Sequence, residues 1–550
     1  MPSFFPIRGL ASSGVIADVP SYDLPLSAFT SATNVVFRDG AAKRRPGYQS
    51  ATFNTGTDLP DEDPSWFQTW ETAGSVYVAF FCEDSVYVWD GSTLTEATTP
   101  TLTNSNLWTS DLYGEYAIAT NQLSAPIYNS AANGSTWATL PGWTDIANGA
   151  PGGQCKAIRG HKGLLMAVGL PNTPYTVYWS DLGELGAIPD NWATADPSSF
   201  AGFVDLDSAD GDVVDCRQLG DVMVVYCRFA AYAFTFTGNI RSPFTVRRLF
   251  NWGLVSQECV QSYGSYHFCV GDRAIYIHDG STVNRIGSNR VEAEFFNEKA
   301  GAREYFRVAK YPDQHEIMIY APKPASVAAA PTLQRSYAEI GLVWNWDTGT
   351  FSYEDFDTPV ACIKASVTPG DVVAWEDLPT TAVTPAGTPT TWADMITYDV
   401  TWAELEDRGD TINQYQIAGR KWQQREIGNS NDGEGFIAYV ERLHVDLDEL
   451  TKTNEGVYEV QRILPQVVGS GGGYGNNVLE MQFGFSNSPG GTITWGPVRK
   501  WQLGTAQYKL DFRNRGRYVS YRIGSFTNAF RRQDWALSGM DVSIVMDGER

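Results

Sequence analysis

Residues 86–92 read VYVWDGS, and residues 275–281 read IYIHDGS. With their flanks the two stretches become SVYVAFFCEDSVYVWDGS and YHFCVGDRAIYIHDGS. Each reads as a strand, a short turn, a second strand and then an Asp-Gly turn. Large apolar residues alternate with period two, which suits a half-buried strand. The Asp-Gly pair supplies a residue that accepts positive φ at the following turn. Each copy is therefore expected to be a β-hairpin.

Weaker versions of the pattern recur along the chain. They are GEYAIATNQLSAPIYNS (114–130), GLLMAVGLPNTPYTVYWSD (163–181) and DVMVVYCRFAAYAFTFTGN (221–239). HEIMIYAP (315–322) can pair with IGLVWNWDTGTFSYEDF (340–356), and VACIKAS (360–366) with NQYQIAGRKWQQREIG (413–428). Irregular repeats of about 40–50 residues, each a small antiparallel sheet, are the signature of a β-propeller. One four-stranded blade cannot bury both of its faces, whereas a ring of blades buries them against one another and leaves only short edges. The pattern predicts an all-β chain with a propeller of six or seven irregular blades; a stack of unrelated β-sandwiches is the competing arrangement. Residues 367–411, rich in Thr, Pro and Asp, read as a long excursion from one blade, with a short helix at WAELEDR. After about residue 430 the strands lengthen and alternate cleanly, as in an antiparallel β-sandwich. GSGGGYGNN (469–477) reads as a flexible loop between two of them.

Composition narrows the function classes. The 550 residues are 43% hydrophobic, 13% aromatic and 19% charged, enough to bury a large core. No apolar run reaches the ~18–20 residues of a membrane span, and MPSFFPIRGLASSGV lacks the form of a secretory signal. The seven cysteines (82, 155, 216, 227, 259, 269 and 362) have no paired spacing, so a disulfide framework is not expected and a reducing cytosol is. The net charge of −23 disfavours gripping nucleic acid but suits a wall past which DNA slides. The alternative is that the acids merely solubilise the surface.

Several constellations bear on chemistry. DLDSADGDVVD (205–215) gathers Asp205, Asp207, Asp210, Asp212 and Asp215 and resembles a calcium loop. Ala209 and Asp210 stand where that loop needs an oxygen donor and a glycine, so an exposed turn is the plainer reading. The five histidines lack metal-ligand spacing; His267 and His278 fall across one hairpin. No pair of carboxylates stands out for glycoside cleavage, GxSxG is absent, and GSGGGYG lacks the Lys-Ser/Thr of a phosphate loop. NGS (133–135) is a formal glycosylation site that a cytosolic protein would not use. No cofactor is expected. Lys43, Arg44 and Arg45 in KRRPG, with Arg513, Arg515 and Arg517 in DFRNRGRY, are the strongest basic groups and are candidate interface residues.

The two ends carry a family resemblance. NVVFRDGAAKRRPGY (34–48) after DVPSYDLPLSAFTSAT resembles the N-terminal segment of short-tailed bacteriophage tail nozzle proteins, the tail tubular protein B-like hubs. In those proteins an Asn, an apolar strand, DG and RxG precede a propeller. YVERLHVDLDEL, GRYVSYRI and DWALSGMDVSI near the C-terminus resemble their closing strands, and residues 391–407 resemble their Trp-Asp excursion. The resemblance implies a platform segment at 1–55, a propeller at 56–430 with the 367–411 excursion, and a β-sandwich platform domain at 431–550. It also implies a homo-oligomeric ring, usually of six, in the virion tail after assembly in the host cytoplasm. The ring would sit below an adaptor, beside fibres or spikes, with DNA passing through the channel without sequence-specific binding. Such a protein is structural and not an enzyme. A host-glycan-binding propeller that attaches a virus to its cell is the alternative function.

Overall fold

A computed structural model describes residues 3–60, 64–72, 74–143, 151–324, 337–367, 412–451, 456–468, 478–502, 509–527 and 534–549. The helix expected at WAELEDR and the loop at 469–477 lie outside these residues.

The chain is an all-β propeller joined to a β-sandwich. Five antiparallel four-stranded blades follow in chain order. Blade one is Trp66–Thr72, Ser75–Phe81, Val86–Trp89 and Leu94–Glu96; blade two is Thr109–Tyr113, Tyr116–Thr120, Ile127–Asn129 and Trp137–Thr139. Blade three is Ala157–His161, Leu164–Leu170, Thr173–Trp179 and Gly202–Asp205. Blade four is Val213–Leu219, Val222–Cys227, Ala231–Asn239 and Ser242–Phe250; blade five is Val260–Tyr263, Tyr266–Val270, Ile275–His278 and Val283–Arg285.

Blades six and seven share a strand. Arg307–Tyr311, Glu316–Ala321 and Ala338–Asn345 are completed by the first part of Thr350–Val367, whose second part opens blade seven. Ile412–Ala418 and Lys421–Arg425 follow, and Tyr48–Ser50 adds the outer strand. The first strand of each blade packs against the first strand of the next, and Thr350–Val367 packs on Trp66–Thr72, so the ring closes at seven. Each of the seven hairpins read from sequence falls in a different blade. The closing strand comes from upstream of residue 56, where the propeller was expected to begin.

The repeated DGS is now explained. Asp90 Oδ1 accepts from the Ser92 and Thr93 amides at 2.8 and 2.6 Å, and Asp279 Oδ1 from those of Ser281 and Thr282 at 2.8 and 2.7 Å. Gly91 and Gly280 follow each Asp at φ 93° and 87°. One side chain thus satisfies two amides and turns the third strand into the fourth. Between blades the glue is aromatic. Trp422 of blade seven stacks on Tyr415 at 4.1 Å and meets Phe67, Phe80 and Trp89 of blade one edge-on at 5.3–6.0 Å. All seven cysteines are buried thiols in these layers.

Both ends of the chain build the sandwich. Ser3–Arg8, Val35–Arg38 and Ala41–Arg44 share a sheet with Gly456–Val468, Leu510–Gly516 and Ala536–Glu549. The facing sheet holds Ser31–Thr33, Ala438–Asp446, Val478–Ser486 and Tyr518–Ser525, and Ser31–Thr33 also pairs with Thr350–Val367 of the propeller. Phe483 and Phe512 meet between the layers at 4.6 Å.

Candidate functional site: charges at the axis and at the seam

The first strands of the blades pack on one another around the propeller axis, and they carry polar side chains at buried positions. Arg159 (blade three) donates to both oxygens of Asp215 (blade four) at 3.1 and 3.0 Å and to Glu258 at 2.7 Å. Glu258, just before blade five, also accepts from Thr109 of blade two at 2.6 Å and Arg217 at 3.0 Å. Its own amide donates to Asp215 at 2.9 Å, with its backbone in the left-handed region at φ 58°. Lys364 of blade seven reaches Gln68 of blade one and Ser110 of blade two. Its ammonium and the Arg307 guanidinium of blade six lie 5.2 and 5.4 Å from the Trp66 ring. All seven blades contribute.

Burial alone would raise the Glu258 carboxyl, but Arg159 and Arg217 outweigh it and hold the group well below its ordinary range. Burial pushes Lys364 down, opposed by Glu258. All four oxygens of Asp215 and Glu258 have protein partners. A general acid or base must reach a substrate with one oxygen; this geometry instead clamps neighbouring blades together.

The second cluster corrects the interface expectation for KRRPG. Arg45 is 2% exposed and lies inside the chain. It pairs with Glu316 at 2.9 Å, Glu354 at 3.1 Å and Glu426 at 2.8 Å, while Arg38 and Arg425 join the same carboxylates. Burial lowers the Arg45 pKa, but the three carboxylates more than reverse that and hold it above its ordinary range. Arg44 is also buried; it donates to the Asn429 carbonyl at 2.9 Å and covers the Phe436 ring at 3.9 Å. Burial pushes its pKa down to about 10. Neither arginine is available to another subunit. Lys43 is partly exposed and pairs with Asp39. Arg513 and Arg515 are exposed on the strand Leu510–Gly516, and Arg517 pairs with Asp448 at 3.1 Å.

The aspartates of 205–215 are not brought together. Asp205 accepts from Thr176, Asp207 caps the Ala209 amide, Asp212 pairs with Lys156, and Asp215 belongs to the axis. Asp210 is buried against Tyr232 and Arg248. Each carboxylate has its own partner, so the loop is a joint between blades three and four and not a calcium cage. Among the described residues no group of three or more His, Cys, Asp or Glu side chains is placed to hold a metal ion.

His267 and His278 are cross-strand partners in blade five, and the Tyr226 hydroxyl of blade four sits between them at 2.7 and 2.6 Å. The Gly280 amide donates to His278 Nδ1 at 3.1 Å, so His278 Nε2 carries the proton and donates to Tyr226. Tyr226 then donates to His267 Nδ1, whose Nε2–H donates to the Gln218 carbonyl at 2.9 Å. This single chain of donors requires both rings neutral. Burial pushes His267 down to about 3 and His278 down to about 4.

No helix of the described residues is long and apolar enough to cross a membrane. No family model matches the chain, and no curated protein matches it. Solved structures similar to it include a computationally designed protein, Ika8, at 11% identity, covering 61% of this chain and 90% of that one, TM-score 0.34. A chain of the mitotic checkpoint complex matches at 12% identity over 58% of this chain and 91% of its own, TM-score 0.35. A chain from a S. cerevisiae complex of dbp5, nup159 and gle1 matches at 10% identity over 60% and 89%, TM-score 0.33.

Proposed function

We infer that the chain is the nozzle protein of a short-tailed phage tail. Copies form a ring-shaped conduit that retains and then releases genomic DNA and offers docking surfaces to an adaptor and to fibres. The observation that supports this most is where the two resembling ends lie. The strands of NVVFRDGAAKRRPGY and of DWALSGMDVSI share one sheet, with Ala41–Arg44 pairing along Ala536–Glu549. The next strand, Tyr48–Ser50, then seals the propeller. A platform built from both termini and bound to a closed ring is a mechanical part. The buried carboxylates of both clusters are each paired with an arginine of the same chain, which also favours a structural role. The excess of acid would keep the DNA polyanion off the conduit wall.

Gold-labelled antibody to the chain, imaged on short-tailed virions, tests the reading. Label at the distal tip of the tail is expected. Label on the virion away from the tail tip, with purified chain binding a defined sugar on a glycan array, would replace it with the attachment reading, and virions that carry no label would overturn both.

A further inference from the structure

Charge is unevenly divided along the chain. Residues 56–430 hold 46 acids and 22 Lys/Arg, while the rest of the chain holds 17 acids and 18 Lys/Arg. Within the sandwich the cations gather at one edge. Residues 499–517 carry six Lys/Arg and a single acid, Asp511. Arg499–Gln502 pairs only with Val478–Ser486 in the described sheet, and Leu510–Gly516 only with Gly456–Val468. Val478–Ser486 packs on Leu510–Gly516 across the sandwich, so both sheets end on the same side. Arg499, Lys500, Arg513 and Arg515 are exposed there.

The opposite sign collects on the propeller face that carries the turns between first and second strands and between third and fourth strands. This face exposes Asp90, Glu115, Glu184, Asp279 and Asp313, while Asp221 is paired there with Lys162 and Arg241 is exposed in the blade-four turn. It also exposes leucines: Leu112 is 43% exposed, Leu182 41%, and Leu185 106%. Leu185 is held there by its frame. The Gly183 amide donates to Gly163 at 2.9 Å, Tyr116 donates to Gly186 at 3.2 Å, and Tyr113 donates to Gly163 at 2.8 Å. A pinned leucine projecting fully into water beside acids has the form of an interface anchor within a charged rim.

We propose that this acidic, leucine-tipped face of blades two to four receives the basic sandwich edge of a second copy of the chain. The two surfaces are different, so the contact is heterologous and propagates head to tail, closing into a ring where the rotation allows. Closure into the conduit ring rests on the nozzle reading; the pairing of the two surfaces does not. The complementary charges are on this one chain, which is why a second copy is the occupant. Steering by opposite charge makes the association dependent on salt.

The test is sedimentation of the full chain at graded salt, with charge swaps. Wild type is expected to assemble at low salt and to dissociate as salt rises. Reversal of the edge (R499E, K500E, R513E, R515E) and reversal of the face (E115K, E184K) should each weaken assembly at least about 100-fold. Mixing the two reversed chains should restore a contact between them. L185S should weaken assembly with little change in its salt dependence. A wild-type chain that stays monomeric at low salt overturns the contact. So does assembly indifferent to both reversals, and so does aggregation of the edge variants, which would mark those cations as guards against strand pairing. Indifference to the reversals leaves tail-tip labelling unaffected, so the nozzle reading fails or stands separately.

Discussion

Arg159 and Arg45 are both arginines nearly without solvent contact, each held by carboxylates, yet they join different things. Arg159 finds Asp215 and Glu258 at 56 and 99 residues along the chain. Those partners sit in the next blades, so the axial cluster ties near neighbours. Arg45 finds Glu316 and Glu426 at 271 and 381 residues. The seam cluster therefore fastens the start of the chain to its last two blades. Removing one partner of a buried pair strands the others, and that stranded charge, more than the lost attraction, sets the cost. The difference lies in how far each loss spreads: axial loss reaches every blade, whereas seam loss opens the closing strand.

The largest effect is expected from Arg159→Met, which leaves Asp215 buried without a cation and Glu258 with Arg217 alone. A loss of about 3–5 kcal/mol is expected in urea unfolding, as one cooperative transition. Arg45→Met has a comparable local cost but a different signature. Amide exchange should quicken in Tyr48–Ser50, Ile412–Ala418 and Lys421–Arg425 while blades two to four keep their protection. Equal loosening of all blades would erase the distinction between the clusters.

The histidine chain lies between these extremes. Its folded pKa values, about 3 and 4, are below the ordinary ~6.5 of an unfolded histidine. The unfolded chain therefore binds more protons in that window. This contribution to stability is fully present above pH ~6.5 and is lost as pH falls toward 4 and then 3. Thermal melts between pH 7 and 5 should show a falling Tm, with a shallower slope in the H267Q/H278Q variant. An unchanged slope would show that the pair does not set it.

The smallest effects belong to the repeated turns. Asp90→Ala and Asp279→Ala should each cost about 1 kcal/mol, and their sum should be additive because the sites are in separate blades.

The blades were legible in the sequence because their information is local. Alternation and the Asp-Gly turn act within twenty residues, and a hairpin needs nothing more. The closing strand was not legible, since Tyr48–Ser50 is three residues long and its partner lies beyond residue 420. KRRPG read as surface because isolated arginines are seldom buried; its three acidic partners are far away in sequence and none is marked by a motif. Gly47 held one usable signal. A Cβ there would meet the Ser430 carbonyl at 2.0 Å, so the glycine marks a close backbone approach. Leu185 gave no sign, because exposure of a single leucine depends on how its loop is pinned.

The closing strand also sets an order of events during synthesis. Tyr48–Ser50 leaves the ribosome long before Lys421–Arg425, the strand it must pair with. At ~5–20 residues per second, the intervening stretch of roughly 375 residues takes about 20–75 s to make. Through that interval the early strand is an unmatched edge, and nascent blades can stack only as an open arc. Ring completion is thus a late, post-assembly step, and the window before it is when a chaperone would have most to do.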